Sequence, residues 1–157
     1  MRRYPQPGCL QAALPCPFLW PREKGTEVLL ADGPAKDIVA WTGYNDGNYL
    51  EFNGIRCYMD TRAEVFIPTI NQQKDVLAEY IALLSGQIDY RDFVARYHFT
   101  HFWTTKNDPL YTYLANDPDY VLLWDSEKDA AAPQKIIWDE DKIRIYAYRP
   151  QHASANP

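Results

Sequence analysis

Short apolar segments alternate along the chain with longer amphipathic ones, and the two periods predict strands and helices. The predicted strands are 38–42, 55–59, 98–105, 120–124 and a closing pair at 136–138 and 142–148. The predicted helices are 46–53, 71–84, 90–97 and 108–116. Helices separate the first three strands, which favours parallel pairing, whereas adjacent strands at the end favour an antiparallel pair. We therefore expect an α/β fold in three layers, with a mixed sheet of about five strands flanked by helices.

Polar residues at the predicted helix ends support these assignments. Asn71 and Asp89 precede the helices at 71–84 and 90–97 and are predicted to cap them. Ser85-Gly86 ends the first of these helices. Its inward positions are predicted to be Val76, Leu77, Tyr80, Ile81 and Leu84. Residues 65–68 are predicted to be extended, and in the last strand Arg144, Tyr146 and Tyr148 form a solvent-facing side.

Residues 45–54 have two interpretations. Asn53-Gly54 lies between two apolar segments, which is typical of a two-residue hairpin turn. Alternatively, Asn45 or Asp46 caps a two-turn helix with Tyr49, Leu50 and Phe52 turned inward and Gly54 as its left-handed stop. The helix is favoured because polar residues do not alternate through this segment.

The sequence predicts one domain with short peripheral segments. Residues 1–26 contain five of the 12 prolines and are predicted to be a poorly ordered or peripheral arm, followed by a domain at 27–150 and a tail at 151–157. Residues 26–30 are predicted to be a short strand or a helical turn. No apolar segment reaches the roughly 18–20 residues of a membrane span, and prolines interrupt any secretory signal. We expect the isolated chain to be soluble.

Composition and charge exclude several kinds of function. The net charge is −5 and the basic residues are scattered, which argues against nucleic-acid binding. The spacing of Cys9, Cys16 and Cys57 matches neither a metal site nor a disulfide framework. His98 and His101 are predicted to face opposite sides of a strand, which excludes a shared metal. No phosphate loop or nucleophile motif is present, so we predict no cofactor, no metal and no catalytic residue.

Polar residues concentrate within residues 44–66, next to apolar segments. The candidate ligand-binding residues are Tyr44, Asn45, Asp46, Asp60, Arg62 and Glu64. They follow two predicted strands, at the edge where open α/β folds place ligands, and a sugar- or metal-binding rim is one interpretation. The interpretation favoured by the sequence is structural, with Asn45 and Asp46 as helix caps and the other three as an ion-pair cluster.

Two segments carry a resemblance to a known family. Gly47-Asn48-Tyr49-Leu50, followed by a strand that ends in Asp60-Thr61-Arg62, resembles the extracytoplasmic domain of bacterial GT-C-type membrane glycosyltransferases, which are related to the protein mannosyltransferases. Residues 120–123 and the segment WDEDKIRIYAYR resemble the last strands of that domain. The resemblance covers about 38–149, with Asn48 and Thr61 in place of glycines in the family pattern.

The resemblance implies a context for the chain. The family transfers sugars from lipid-phosphate donors with acidic residues in loops among its membrane helices, so no catalytic residue carries over to this chain. The resemblance implies a non-catalytic extracytoplasmic accessory domain whose partner is the transmembrane part of a parent protein, and which assists glycan or acceptor binding. The alternative is a stand-alone sugar-binding module or small hydrolase that uses the edge formed by Asp60, Arg62 and Glu64.

Overall fold

A five-stranded sheet organises the chain in the computed structural model, which describes residues 19–72, 74–132 and 138–150. The strands are β1 (Val39–Trp41), β2 (Arg56–Cys57), β3 (His101–Thr105), β4 (Tyr120–Asp125) and β5 (Ile143–Tyr148). The α-helices are α1 (Trp20–Asp32), α2 (Gly47–Phe52), α3 (Pro68–Asn71), α4 (Val76–Leu84), α5 (Tyr90–Tyr97) and α6 (Leu110–Tyr113). Short 3₁₀ helices lie at Ala35–Asp37, Ala63–Phe66, Leu114–Asn116 and Asp139–Asp141.

The sheet is mixed, as the sequence predicts. Its strand order is β2-β1-β3-β5-β4. β1 pairs in parallel with both β2 and β3, whereas β5 is antiparallel to β3 and to β4. The parallel first three strands and the antiparallel C-terminal pair are therefore confirmed. The predicted strand at 136–138 falls mostly outside the described residues.

Helices cover both faces of the sheet and complete three layers. On one face, Trp41 and Phe102 pack with Phe93 of α5 and with residues of α4 and α6. On the other face, Ala40 packs with Leu29 of α1 and with residues of α2. Trp41 and Ala40 are adjacent in β1 and point to opposite faces, as strand geometry requires. The predicted three-layer α/β fold is confirmed.

Helix α1 begins at Trp20, inside the segment predicted to be an arm. Pro21 lies in its first turn, where a missing backbone N–H is tolerated. Gly25 packs so closely against Trp103 that an added Cβ would lie 2.7 Å from the indole ring. Residues 20–26 therefore pack on the sheet as part of a helix, and the strand interpretation of 26–30 is wrong. Residues 1–18 and the predicted tail at 151–157 lie outside the described part of the chain.

Helix α2 confirms the helical interpretation of residues 45–54. Gly54 has a φ of 78°, the left-handed conformation expected at the helix end. Leu50 is buried, but Phe52 is 89% exposed, so its predicted inward position is wrong. Two residues rotate a helix by about 200°, which places Phe52 on the side opposite Leu50. Gly47 packs so closely on the end of β2 that an added Cβ would lie 1.9 Å from the Met59 carbonyl oxygen.

The helix predicted at 71–84 begins later, at Val76, and Pro68–Asn71 form the separate helix α3. Gln72, at the end of α3, has a φ of 54°, and this left-handed residue stops the first helix. The cap of α4 is Asp75, whose side chain accepts a hydrogen bond of 2.8 Å from the backbone N–H of Ala78. The predicted Asn71 cap is therefore wrong. The extended conformation predicted for residues 65–68 is also wrong, because these residues are helical except at Ile67. Ile81, predicted to face inward, is 55% exposed.

Helix α5 and strand β5 position the remaining core. The Asp89 carboxylate accepts hydrogen bonds from the backbone of Arg91 and Asp92, so the predicted cap is confirmed. His98 ends α5 in a left-handed conformation, so β3 begins at His101 rather than at 98.

Tyr146 of β5 is buried in the same core cluster as residues of α6. The side of β5 predicted to face solvent is therefore covered by that helix.

Candidate functional site

A cleft opens at the edge of the sheet where β1 and β3 end. Because these strands are parallel, the loops that follow them meet at this edge. Tyr44 from the first loop and Asp108 from the second line the cleft together with Arg22 of α1 and Tyr80 of α4. The cleft has a volume of about 190 Å³.

The chain's connections explain why a cleft forms here. The chain passes from β1 to β2 through α2, which packs on one face, and from β2 to β3 through α4 and α5, which pack on the other. β2 and β3 lie on opposite sides of β1, so the connecting helices diverge above the ends of β1 and β3. Open α/β sheets bind their ligands in this crevice.

Asp108 is a buried acid of the cleft with a raised pKa. Its Oδ2 accepts a hydrogen bond of 2.9 Å from the indole Nε1 of Trp41, and its Oδ1 accepts one of 2.8 Å from the backbone N–H of Leu110. Burial raises the pKa of Asp108 to about 6, and these two hydrogen bonds offset only part of that effect. Near neutral pH the carboxyl group can therefore exist in either form, accepting hydrogen bonds when ionised and donating one when protonated.

Asp46 is a second buried acid, held by α1. Its Oδ1 lies 2.9 Å from Nε of Arg22, whose Nη1 lies 2.7 Å from Asp141. Burial raises the pKa of Asp46, and the attraction of Arg22 offsets this only in part. The same guanidinium thus joins the loop after β1 to the segment before β5, which fixes one wall of the cleft.

Two tyrosines form the opposite wall. The Tyr80 ring stacks on Trp41 with 5.5 Å between ring centroids, and its hydroxyl oxygen accepts a hydrogen bond of 3.3 Å from the backbone N–H of Tyr44. The Tyr44 hydroxyl in turn donates to the carbonyl oxygen of Thr61 at 2.9 Å. Exposed amides from Asn45 and Asn107 complete the polar rim. The arrangement offers aromatic faces, carboxyl oxygens and amide groups within one small cavity.

The predicted site residues separate into two groups. Tyr44, Asn45 and Asp46 line the cleft. Asp46 occupies the predicted N-cap position of α2, but its side chain binds Arg22 and makes no cap hydrogen bond to the helix. The predicted residues after β2 do not line the cleft.

Asp60 and Arg62 form an ion pair beside α2. The Asp60 side chain is fully buried and accepts hydrogen bonds from the Arg62 backbone N–H at 2.7 Å and from its Nε at 2.9 Å. These bonds to Arg62 lower the pKa of Asp60 despite its burial. Arg62 also binds Glu51 at 2.7 Å, and Glu64 is exposed. This geometry is that of a structural cluster which fixes the loop after β2.

Sequence reasoning missed Asp108, Arg22 and Tyr80 as site residues. Asp108 was interpreted only as the start of a short helix, although its position shortly after β3 matches that of Asp46 after β1. That shared position is a signal available in the sequence. Arg22 has no such signal, because it reaches Asp46 across 24 residues of the chain.

The described cysteine, Cys57, and the buried histidine, His101, lie outside the cleft. Burial raises the pKa of Cys57 to about 12, so its thiol stays protonated and is a poor nucleophile. His101 lies at the opposite end of β3 from the cleft, where its Nε2 is 2.8 Å from Asp32 and ties β3 to the end of α1. Burial lowers the pKa of His101, an effect that the Asp32 carboxylate opposes.

The described residues contain neither a metal-binding cluster nor a membrane-spanning helix. Within 19–72, 74–132 and 138–150, no group of three or more His, Cys, Asp or Glu side chains could hold a metal ion. In the same part of the chain, no helix combines the length and the apolar character needed to cross a membrane.

No protein-family model, curated protein or solved structure matches the chain.

Proposed function

We propose that the chain is a sugar-binding domain and that the cleft between β1 and β3 holds a single monosaccharide unit of a glycan. The observation that carries the proposal is the pairing of two buried carboxyl groups, Asp46 and Asp108, with the rings of Tyr44 and Tyr80 in one cavity. Carboxyl and amide groups form strong hydrogen bonds with sugar hydroxyls, and aromatic faces suit the apolar side of a pyranose ring.

The size and charge of the cleft support a small, uncharged ligand. Pockets for drug-sized ligands have volumes of roughly 300–1,000 Å³, whereas this cleft has about 190 Å³, enough for one ring rather than a chain of sugars. Arg22, which lines the cleft, already bonds to two carboxylates. The cleft therefore presents mainly acidic and neutral groups, which favours hydroxyl-bearing ligands over phosphates.

The resemblance of residues 44–66 to membrane glycosyltransferases suggests where such a domain works. We propose that it is an accessory domain on the extracytoplasmic side of the membrane, next to the transmembrane part of a parent protein, where it holds a glycan or acceptor. Sequencing the DNA upstream of the gene addresses this context. A reading frame rich in apolar segments of about 20 residues supports it, and an unrelated neighbouring gene counts against it.

Ligand-observed NMR with a panel of free monosaccharides tests sugar binding directly. Asn45→Ala and Asn107→Ala remove exposed amides from the rim and should weaken binding by about 3- to 10-fold each, the effect of one lost hydrogen bond. Glu64→Gln is the matched control, because it changes an exposed polar group outside the cleft. Absence of binding across the panel, or equal weakening by all three variants, would refute the site. Spectra of the matching methyl glycosides would reveal cleavage to the free sugar, the outcome expected of a hydrolase.

A further inference from the structure

A second and larger cavity lies beside the edge strand β2, on the face that α4 and α5 cover. Its volume is about 510 Å³, within the range of small-molecule pockets. Among the described residues, none lines both this cavity and the cleft. The two sites are therefore separate, and the failure of one proposal would leave the other intact.

Aromatic side chains form much of the wall of this cavity. Tyr58, Phe66, Tyr97 and Phe99 line it. Tyr58 lies 4.9 Å from Tyr97 between ring centroids, and Tyr97 lies 5.6 Å from Phe99. Tyr58, Tyr97 and Phe99 belong to the main core cluster or pack directly against it. The wall is thus held in place before a ligand arrives, which lowers the entropy lost on binding.

The charged residues among those described in the lining of the cavity are Arg56 and Lys74, and both are basic. Arg56, Lys74 and His98 line it, and none of the described lining residues is acidic. Behind the wall, the carboxylate of Glu79 accepts a hydrogen bond of 2.9 Å from the Tyr58 hydroxyl. Glu79 is itself paired with Lys74 at 3.3 Å and with Arg96 at 2.5 Å. The described lining of the cavity therefore carries positive charge and no negative charge, in a chain whose net charge is −5.

We propose that this cavity binds an amphipathic anion, a molecule with one carboxylate or phosphate group and an apolar chain or ring. The apolar part would pack against the aromatic wall, and the anionic group would lie at the exposed side chains of Arg56 and His98. Such a molecule has two sources, a soluble metabolite or the lipid of a membrane. The chemistry that the cavity recognises is the same for both.

Isothermal titration of the full chain with decyl phosphate, below its micelle concentration, tests the site. The expected result is saturable binding at least tenfold tighter than that of decyltrimethylammonium, which has the same chain and the opposite charge. Arg56→Gln should weaken decyl phosphate binding about tenfold, as expected for the loss of one charged hydrogen bond. Lys36→Gln is the matched control, because it removes one exposed positive charge outside the cavity.

Equal affinity for the two detergents, or equal weakening by Arg56→Gln and Lys36→Gln, would overturn the proposal. Vesicles of phosphatidylcholine with added phosphatidic acid distinguish the two sources. Binding to both decyl phosphate and these vesicles indicates a membrane lipid, and binding to decyl phosphate alone indicates a soluble ligand. Binding to vesicles alone would refute the cavity, because surface charge would explain it without a pocket.

Discussion

Replacement of Asp108 by asparagine should change how the stability of the protein depends on pH. The buried carboxyl group has a pKa of about 6 in the folded protein, against an ordinary value of 3.8. The folded state therefore holds this proton more tightly than the unfolded state. Its contribution to stability is fully present below pH 3.8 and is lost as the pH rises through 6. An asparagine side chain cannot titrate, so the variant lacks this contribution at every pH.

The size of the effect follows from the two pKa values. A rise from 3.8 to about 6 corresponds to about 3 kcal/mol in total, of which about 2 kcal/mol falls between pH 4.5 and 7.5. The amide also loses one acceptor, because both carboxylate oxygens accept hydrogen bonds, from Trp41 and Leu110. That loss costs about 1–3 kcal/mol and does not depend on pH.

Urea denaturation of both proteins at several pH values between 4.5 and 7.5 measures the effect. The free energy by which the wild type exceeds Asp108→Asn should increase by about 2 kcal/mol as the pH falls over this range. Near-ultraviolet circular dichroism at each pH verifies that the variant keeps its tertiary packing. A difference that stays constant, or that increases with pH, would refute the assignment of a raised pKa to Asp108.

Three further predictions concern the elements that hold the cleft, each measured as the free energy of urea unfolding. Gly47→Ala places a methyl group 1.9 Å from the backbone oxygen of Met59, in the segment after β2, and should cost about 3 kcal/mol or more. Gly33→Ala meets nothing within 4 Å and should not destabilise. Similar losses from the two substitutions would contradict the close packing of α2. Asp89→Ala removes the cap of α5 and should cost about 1 kcal/mol, so an unchanged stability would argue against the cap. Asp60→Asn weakens the buried ion pair beside α2 and should cost about 1.5–3 kcal/mol. The control Glu64→Gln changes an exposed side chain and should alter stability by less than about 0.5 kcal/mol. Equal effects would show that the two acids share one role.

Local sequence signals determined most of the secondary structure correctly. Asp89 caps α5 because its side chain reaches backbone N–H groups two and three residues ahead, and Gly54 ends α2 because it adopts a left-handed φ without a Cβ. Both interactions span only a few residues, so the sequence contains all the information that they need. The order of strands and helices likewise predicted a mixed α/β sheet in three layers.

The errors in the sequence predictions have two physical causes, tertiary packing and helix geometry. The prolines before residue 27 suggested an arm, yet α1 accommodates Pro21 in its first turn and presses Gly25 against Trp103. Phe52 was predicted to face the core because it is apolar, but the short helix that buries Leu50 leaves Phe52 exposed. The first outcome depends on the distant residue Trp103, whereas the second follows from the helix period, which separates Phe52 from Leu50 by about 200°.

The candidate site was likewise predicted only in part from the sequence. The residues after β1 could be identified from the sequence because they are polar and follow an apolar strand. Only the tertiary structure brings Asp46 to Arg22 of α1, and Asp108 to the indole of Trp41 across 67 residues of the chain. The burial that raises the pKa of Asp108 belongs to the folded structure rather than to its neighbours in sequence. By itself, therefore, the sequence determined which elements form, and the tertiary structure decided which acids meet in the cleft and how strongly they hold their protons.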